Sequence, residues 1–233
     1  MSDPVPATRS SGAARFAGAA LIATHVLAIG AMAHHPTAHG DTQAQVVDGF
    51  VQMQGLNTAV HAAMIAAVLA SWLALAEFGA RRGAQRALVR SAGLLYAAGT
   101  AGMVGAALTN GFIATRIAVA AQGGDARTVE AAGDLLRLCW AANQTLAGFG
   151  LYAISAAIAL WSLDLLRDRR VLALAAGGYG VAIAAAGAGG HALGAYVLDV
   201  RGMAAVVLAH AVWYVLVGVL MWRGGAARAA PAA

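Results

Sequence analysis

Six long apolar runs, separated by polar linkers, constrain this chain more than any other feature. The runs cover residues 13–33, 51–78, 88–112, 138–163, 171–198 and 203–222. Each is long enough to form a helix of about 20 residues, which crosses a hydrocarbon core of roughly 30 Å. Only 11% of the residues are charged, whereas a soluble domain carries about 25%. The sequence therefore predicts an integral membrane protein that lies in a lipid bilayer.

The composition of the runs favours helices over barrel strands, because Ala, Leu, Val and Gly dominate segments of this length. We expect an all-α fold, a bundle of six transmembrane helices over residues 13–222. The segment 113–137 is predicted to extend the third and fourth helices beyond the outer membrane face. Residues 1–12 and 223–233 are predicted tails, and the second of these is expected to be disordered.

Arginine placement predicts the orientation of the bundle. If the N-terminus is cytoplasmic, only Arg116, Arg127, Arg137 and Arg201 of the 15 basic residues fall on the outer side. The positive-inside rule then places both termini in the cytoplasm. We expect a multi-pass protein of a bacterial-type inner membrane, with acidic residues at the inner helix ends paired to the arginines there.

The residue types that the chain lacks exclude several kinds of chemistry. There is no lysine, so retinal and pyridoxal phosphate cannot be held as a Schiff base. Cys139 is the single cysteine, which excludes an internal disulfide and a self-contained iron–sulfur cluster. The net charge is +5. Because the arginines lie in short clusters between apolar runs, we attribute them to the orientation of the protein in the membrane and expect no nucleic-acid partner.

Four histidines on four different spans are predicted to share one layer in the outer half of the bundle. They are His25, His61, His191 and His210. At a rise of about 1.5 Å per residue, each lies roughly 10 to 15 Å inside the outer end of its predicted span. Ionisable residues within spans are costly and often functional. Two stripes at helical spacing are expected to face the shared interior, namely His25, Met32 and His35, and Asn57, His61 and Met64.

The fifth span carries a strip of small residues beside its histidine. Gly180, Ala184, Gly187, His191 and Gly194 recur at spacings of four and three. Such a strip serves either close helix packing or space for a flat cofactor against the backbone. The sequence leaves both uses open.

A single b-type haem is the cofactor that we favour for this layer. Haem b takes axial imidazoles from facing helices, and the four histidines supply them. Gly187 and Gly194 are the candidates for space beside the ring, and Arg116, Arg137 or Arg201 for partners of the propionates. Such a haem would exchange electrons with a quinol or with a periplasmic redox protein.

Two alternatives stay open at this point. A copper, zinc or iron ion is the first, held by the same histidines with an open position for water or substrate. Polar residues that would then fix the ring tautomers are Asn57, Asn110, Asn143 and Gln144. The second alternative is a cofactor-free accessory subunit of a larger membrane complex or homo-oligomer. Whether the chain is an enzyme is left undecided.

A second group of histidines follows the first span: His34, His35 and His39. One reading is a polar collar at the membrane interface. The other is capture of copper or another soft metal, aided by Met32, Met53 and Met203 and followed by transfer from His35 to His25. Cleavage of a signal peptide after Ala33, which would expose His34 as a new N-terminus, is a third possibility.

Overall fold

The computed structural model describes residues 11–38 and 40–224, and all regular structure within them is helical. The elements are α1 (Ser11–Ala33), α2 (Gln43–Gln52), α3 (Gln54–Gly83), α4 (Ala87–Leu108), a π-helical segment (Thr109–Ala114), α5 (Thr115–Ala121), α6 (Ala126–Leu165), α7 (Val171–Ala192) and α8 (Val200–Trp222). The all-α fold predicted from the apolar runs is confirmed for this part of the chain.

Six helical stretches are long and apolar enough to cross a membrane, which confirms the predicted number of spans. They are α1, α3, the continuous stretch from α4 through α5, α6, α7 and α8. Large apolar side chains such as Leu73, Leu94 and Leu138 are about two-thirds exposed. Six apolar helices with exposed apolar side chains are consistent with a multi-pass membrane protein, in which lipid covers such side chains. The direction in which the termini point remains a prediction.

The linker between the third and fourth spans is largely helical. The third span continues to Ala121, and α6 begins at Ala126 after a turn that contains Gly123 and Gly124. Asp125 caps α6, because its carboxylate accepts the Thr128 N–H at 2.9 Å. Residues 113–137 thus lie largely in helices that continue from the third span and into the fourth, and their place beyond the outer membrane face stays a prediction.

The end of α7 differs from the prediction. The fifth span was expected to reach residue 198, but the helix ends at Ala192. Gly194 takes φ +70°, and its N–H donates to His191 O while the Ala195 N–H donates to Gly190 O. This is a Schellman motif, which terminates the helix although apolar residues continue. His191 consequently lies in the last turn of α7 and not roughly 10 Å inside it.

The short helix α2 was not expected from the sequence. Thr42 and Gln45 form a capping box, in which each side chain accepts the other residue's backbone N–H, at 3.2 and 3.3 Å. The T-x-x-Q spacing was a signal available in the sequence. As a result, α3 begins at Gln54 and not at residue 51.

A buried ion network ties α3 to the end of α6, at the end of the bundle that we call the arginine end. Arg82 donates from Nε to Asp164 Oδ2 at 2.7 Å and from Nη1 to Asp168 Oδ2 at 3.1 Å. Arg86 pairs with Asp164, and Arg170 pairs with Asp168. Arg82 is 1% exposed and Asp164 is 0% exposed. The predicted pairing of inner acidic residues with arginines is thus confirmed.

This network should make the stability of the protein depend on pH. Hydrogen bonding from Arg170 above all, with a contribution from Arg82, holds the pKa of Asp168 well below its usual range. The stabilisation is therefore complete above the unfolded carboxyl pKa of about 3.9 and is lost as the pH falls below it. We expect Asp168→Asn to be less stable than the parent at pH 6, and the difference to shrink by up to about 1.4 kcal/mol per pH unit below about pH 4. Unfolding in detergent between pH 3 and 7 measures this, and a difference that stays constant down to pH 3 would contradict it.

Candidate functional site

A cavity of about 1030 Å³ occupies the half of the bundle opposite the arginine end. Four histidines line it, and we call it the histidine cavity: His25 from α1, His61 from α3, His210 from α8 and His35 from the loop after α1. Ligand pockets in proteins typically measure about 300 to 1,000 Å³. The histidine cavity therefore has room for a ligand of the size of a large cofactor.

Three of the four histidines predicted to share a layer are brought together here, and His191 is not. The ring of His191 lies between Tyr152 and Tyr196, with centroids 5.7 Å from each. Its place in the last turn of α7 keeps it out of the cavity lining. Both stripes predicted to face the interior, with their histidine, methionine and asparagine side chains, do line the cavity.

His25 presents an uncommitted ring nitrogen. Its Nδ1–H donates to Leu21 O at 2.8 Å, which leaves the lone pair on Nε2. Within residues 11–38 and 40–224, no group hydrogen-bonds to that Nε2. The ring stacks on Tyr214 with centroids 3.7 Å apart, so packing fixes its orientation as well.

His210 is the second histidine at depth. It is 7% exposed, and neither of its ring nitrogens has a hydrogen-bond partner in the described part of the chain. Like His25, it lines the histidine cavity. We call His25 and His210 the deep pair.

His35 and His61 form a second pair, nearer the helix ends, which we call the rim pair. Their ring centroids are 4.9 Å apart in an edge-to-face arrangement. His35 donates from Nδ1 to Pro36 O at 2.9 Å, and His61 from Nδ1 to Asn57 O at 2.8 Å. Burial lowers the pKa of His35, so this ring is neutral at pH 7.

The π-helical segment brings the third span close to His61. Asn110 places its Nδ2 3.2 Å from His61 Nε2. Gly111 leaves room for the imidazole, because a methyl group at this position would overlap His61 Cβ and lie 2.5 Å from its Cγ. Single π-helical turns recur at functional sites. Sequence reasoning missed Gly111, since a glycine in an apolar run gives no sign of what packs against it.

The four polar residues expected to support the histidines all line the cavity, but only two contact a ring. Asn57 receives the His61 N–H through its backbone oxygen, and Asn110 contacts the same ring. Asn143 donates to Ala106 O at 2.9 Å, and Gln144 donates to Leu198 O at 3.1 Å. These last two amides therefore tie the cavity wall together through backbone oxygens.

Charged residues of both signs line the cavity. Arg137 and Arg201 are among the lining residues, as are Asp41 and Asp199, whereas Arg116 on α5 is not. Arg137 pairs with Asp134 while remaining 66% exposed at its side chain. Of the arginines proposed to hold an anionic group, Arg137 and Arg201 therefore reach the cavity.

Most of the small residues that line the cavity are alanines, and none of them is a glycine of α7. Gly187 and Gly194 do not belong to the lining. Gly177 packs against α6, because a methyl group there would lie 2.9 Å from Ser162 O. Small side chains leave room along the cavity wall, among them those of Ala28, Ala67, Ala106, Ala107 and Ala147.

Two hydroxyl pairs at the deepest part of the cavity were not singled out from the sequence. Tyr96 and Tyr214 share a hydrogen bond of 2.9 Å, and Thr24 and Ser71 share one of 3.0 Å. All four side chains are buried, and all four residues line the cavity. The deepest part of the cavity is therefore polar, and its hydroxyl groups hydrogen-bond to one another.

The remaining candidates lie elsewhere. His34 donates from Nδ1 to Gly30 O at 2.9 Å and faces a separate shallow groove. His39 lies outside the described residues. Within the described residues, no three His, Cys, Asp or Glu side chains come together as a metal site. The bare-metal alternative therefore has no preformed set of such ligands in this part of the chain.

The cavity thus combines largely apolar walls, imidazoles with free lone pairs and two arginines. Together these can hold a large, mostly apolar ligand that takes imidazole as a ligand and carries an anionic group. Comparisons with protein-family models, with curated proteins and with solved structures found no match to this chain.

Proposed function

We propose that this chain is a multi-pass protein of a bacterial-type inner membrane that binds a single b-type haem in the histidine cavity and uses it for electron transfer. The deep pair is the observation that carries the proposal. Its two imidazoles, one from α1 and one from α8, line the same cavity. In the described residues, neither His25 Nε2 nor the ring of His210 has a hydrogen-bond partner. An imidazole with a free lone pair is the common protein ligand of haem iron.

The residues present fit this group. The cavity volume of about 1030 Å³ lies at the upper end of the range for bound ligands. Alanine side chains leave room along the walls, and haem iron needs only one or two protein ligands. The lack of a three-residue metal cluster among the described residues therefore leaves the haem proposal intact.

Each side chain has a definable task in this proposal. His25 Nε2 and His210 would hold the iron, and the bond from His25 Nδ1–H to Leu21 O fixes the tautomer that leaves Nε2 as the ligand atom. Arg137 and Arg201 would pair with the propionates. When bound, haem b supplies a one-electron couple, and the apolar walls limit the access of water to it.

The orientation of the chain indicates the side on which electrons are exchanged. The arginine end is the cytoplasmic end by the positive-inside rule, so the histidine cavity belongs to the periplasmic half. A quinol in the outer leaflet or a periplasmic redox protein is the partner that this placement favours. His61 is not assigned to the iron, because its ring packs against His35 nearer the helix ends and not with the deep pair.

Alanine variants of the histidines test the proposal. We expect His25→Ala and His210→Ala to lose at least about ten-fold in haem bound per chain, because loss of an axial ligand removes the main attachment of the iron. His34→Ala and His191→Ala are the matched controls, since both residues lie outside the cavity lining, and they should retain haem. The pyridine haemochrome spectrum of detergent-purified protein measures the ratio, and gel filtration checks that each variant is folded.

Equal haem contents in the deep-pair variants and the controls would contradict the assignment. A protein without haem but with a stoichiometric transition metal would instead support the metal alternative.

A further inference from the structure

The rim pair is arranged in the way that histidine metal ligands usually are. Both rings donate their Nδ1–H to a backbone carbonyl, Pro36 O for His35 and Asn57 O for His61. A histidine that binds a metal generally makes such a bond with its other nitrogen, which fixes the tautomer and leaves Nε2 as the ligand atom. The two rings lie 4.9 Å apart between centroids, so one small ion can reach both.

Thioether side chains accompany each of these histidines. Met32 precedes His35 by three residues, and Met64 follows His61 by three residues on the same helical face. Both methionines line the histidine cavity, as does Met53 at the junction of α2 and α3. No third His, Cys, Asp or Glu in the described residues joins the two rings as a ligand set.

From this donor set we infer a second site, independent of the proposed haem: the rim pair binds one Cu(I) ion through His35 and His61, with a thioether of Met32 or Met64 completing the coordination. Soft thioether ligands select Cu(I), whereas zinc takes imidazole with carboxylate, thiolate or water, and the hard cations take oxygen ligands. Binding replaces the 3.2 Å contact between Asn110 Nδ2 and His61 Nε2.

The charged side chains that line the same cavity include carboxylates as well as guanidinium groups: Asp41, Asp199, Arg137 and Arg201. The site is separate from the deep pair, which lies further along α1 and α8.

Competition for Cu(I) tests the inference. The thiol of Cys139 also lines the cavity, so every protein carries Cys139→Ser to remove that soft ligand. Haem-free protein is titrated with Cu(I) under anaerobic conditions against the chromogenic chelator bathocuproine disulfonate. We expect one Cu(I) per chain, and affinities at least about ten-fold weaker for His35→Ala and for the double change Met32→Leu with Met64→Leu, since ligands to the metal are lost.

His34→Ala is the matched control, an adjacent imidazole that faces away from the cavity, and it should bind Cu(I) as the parent does. His25→Ala should also retain Cu(I), which separates failure of this site from failure of the haem proposal. Copper-edge X-ray absorption should show both nitrogen and sulfur neighbours. No Cu(I) retained against the chelator, or equal affinities for His35→Ala and His34→Ala, would overturn the inference, and a nitrogen-only shell would overturn the methionine ligands.

Discussion

Arg82→Met should lower the free energy of unfolding by up to about 3 to 5 kcal/mol, the cost of removing one member of a buried ion pair. The substitution keeps a long apolar stem but takes the buried guanidinium away from Asp164 and Asp168, which are 0% and 4% exposed. Each carboxylate is then left with one partly exposed arginine, Arg86 or Arg170. Arg90→Met is the matched control, because Arg90 is exposed at the same end of the bundle. Its effect should stay within about 0.5 kcal/mol. Reversible unfolding in mixed detergent micelles measures both.

A partial rescue distinguishes the ion network from a general intolerance of change at this position. Adding Asp164→Leu to Arg82→Met removes one of the carboxylates that lost its buried partner and should recover part of the lost stability, since apolar replacements of a buried ion network are often neutral. An Arg82→Met protein as stable as Arg90→Met would contradict the structure of the arginine end.

Gly180→Ala is the second change with a large expected effect. A methyl group at this position of α7 would overlap the Ser162 hydroxyl and lie within 2.6 Å of Trp213 Cδ1. Overpacking of a fixed aromatic core costs typically about 1 to 3 kcal/mol and occasionally more. The same substitution at Gly178, two residues away in α7, meets nothing within 4 Å and should be neutral or stabilising by up to about 1 kcal/mol.

This pair of variants also decides what the glycine strip of α7 is for. If the strip serves packing, Gly180→Ala unfolds at a lower temperature in detergent than Gly178→Ala. Equal melting temperatures would contradict the close approach of α7 to Trp213 and reopen the strip as space for a cofactor.

The six spans could be predicted because length and hydropathy alone decide whether a helix can cross a bilayer. The helix ends could not be predicted in the same way. The apolar run of the fifth span continues to residue 198, but Gly194 ends α7 in a left-handed conformation. Because the helix ends there, His191 lies in its last turn and outside the layer that the sequence positions predicted.

The candidate site could be predicted in part for a similar reason. Spacing along one helix showed that His25 and His61 each share a face with a methionine, and these faces do line the cavity. Pairing between helices depends on how the spans rotate and how closely they approach, which a single sequence does not contain. The contact of Asn110 and Gly111 with His61 arises from such an approach, through a π-helical segment that no local pattern marks.

The absorption spectrum of the detergent-purified parent protein, before and after dithionite, tests the central claim most directly. The haem proposal predicts a Soret band that sharpens on reduction, resolved α and β bands, and one haem per chain. A spectrum with only tryptophan and tyrosine absorbance, from protein produced with an adequate haem supply, would contradict it.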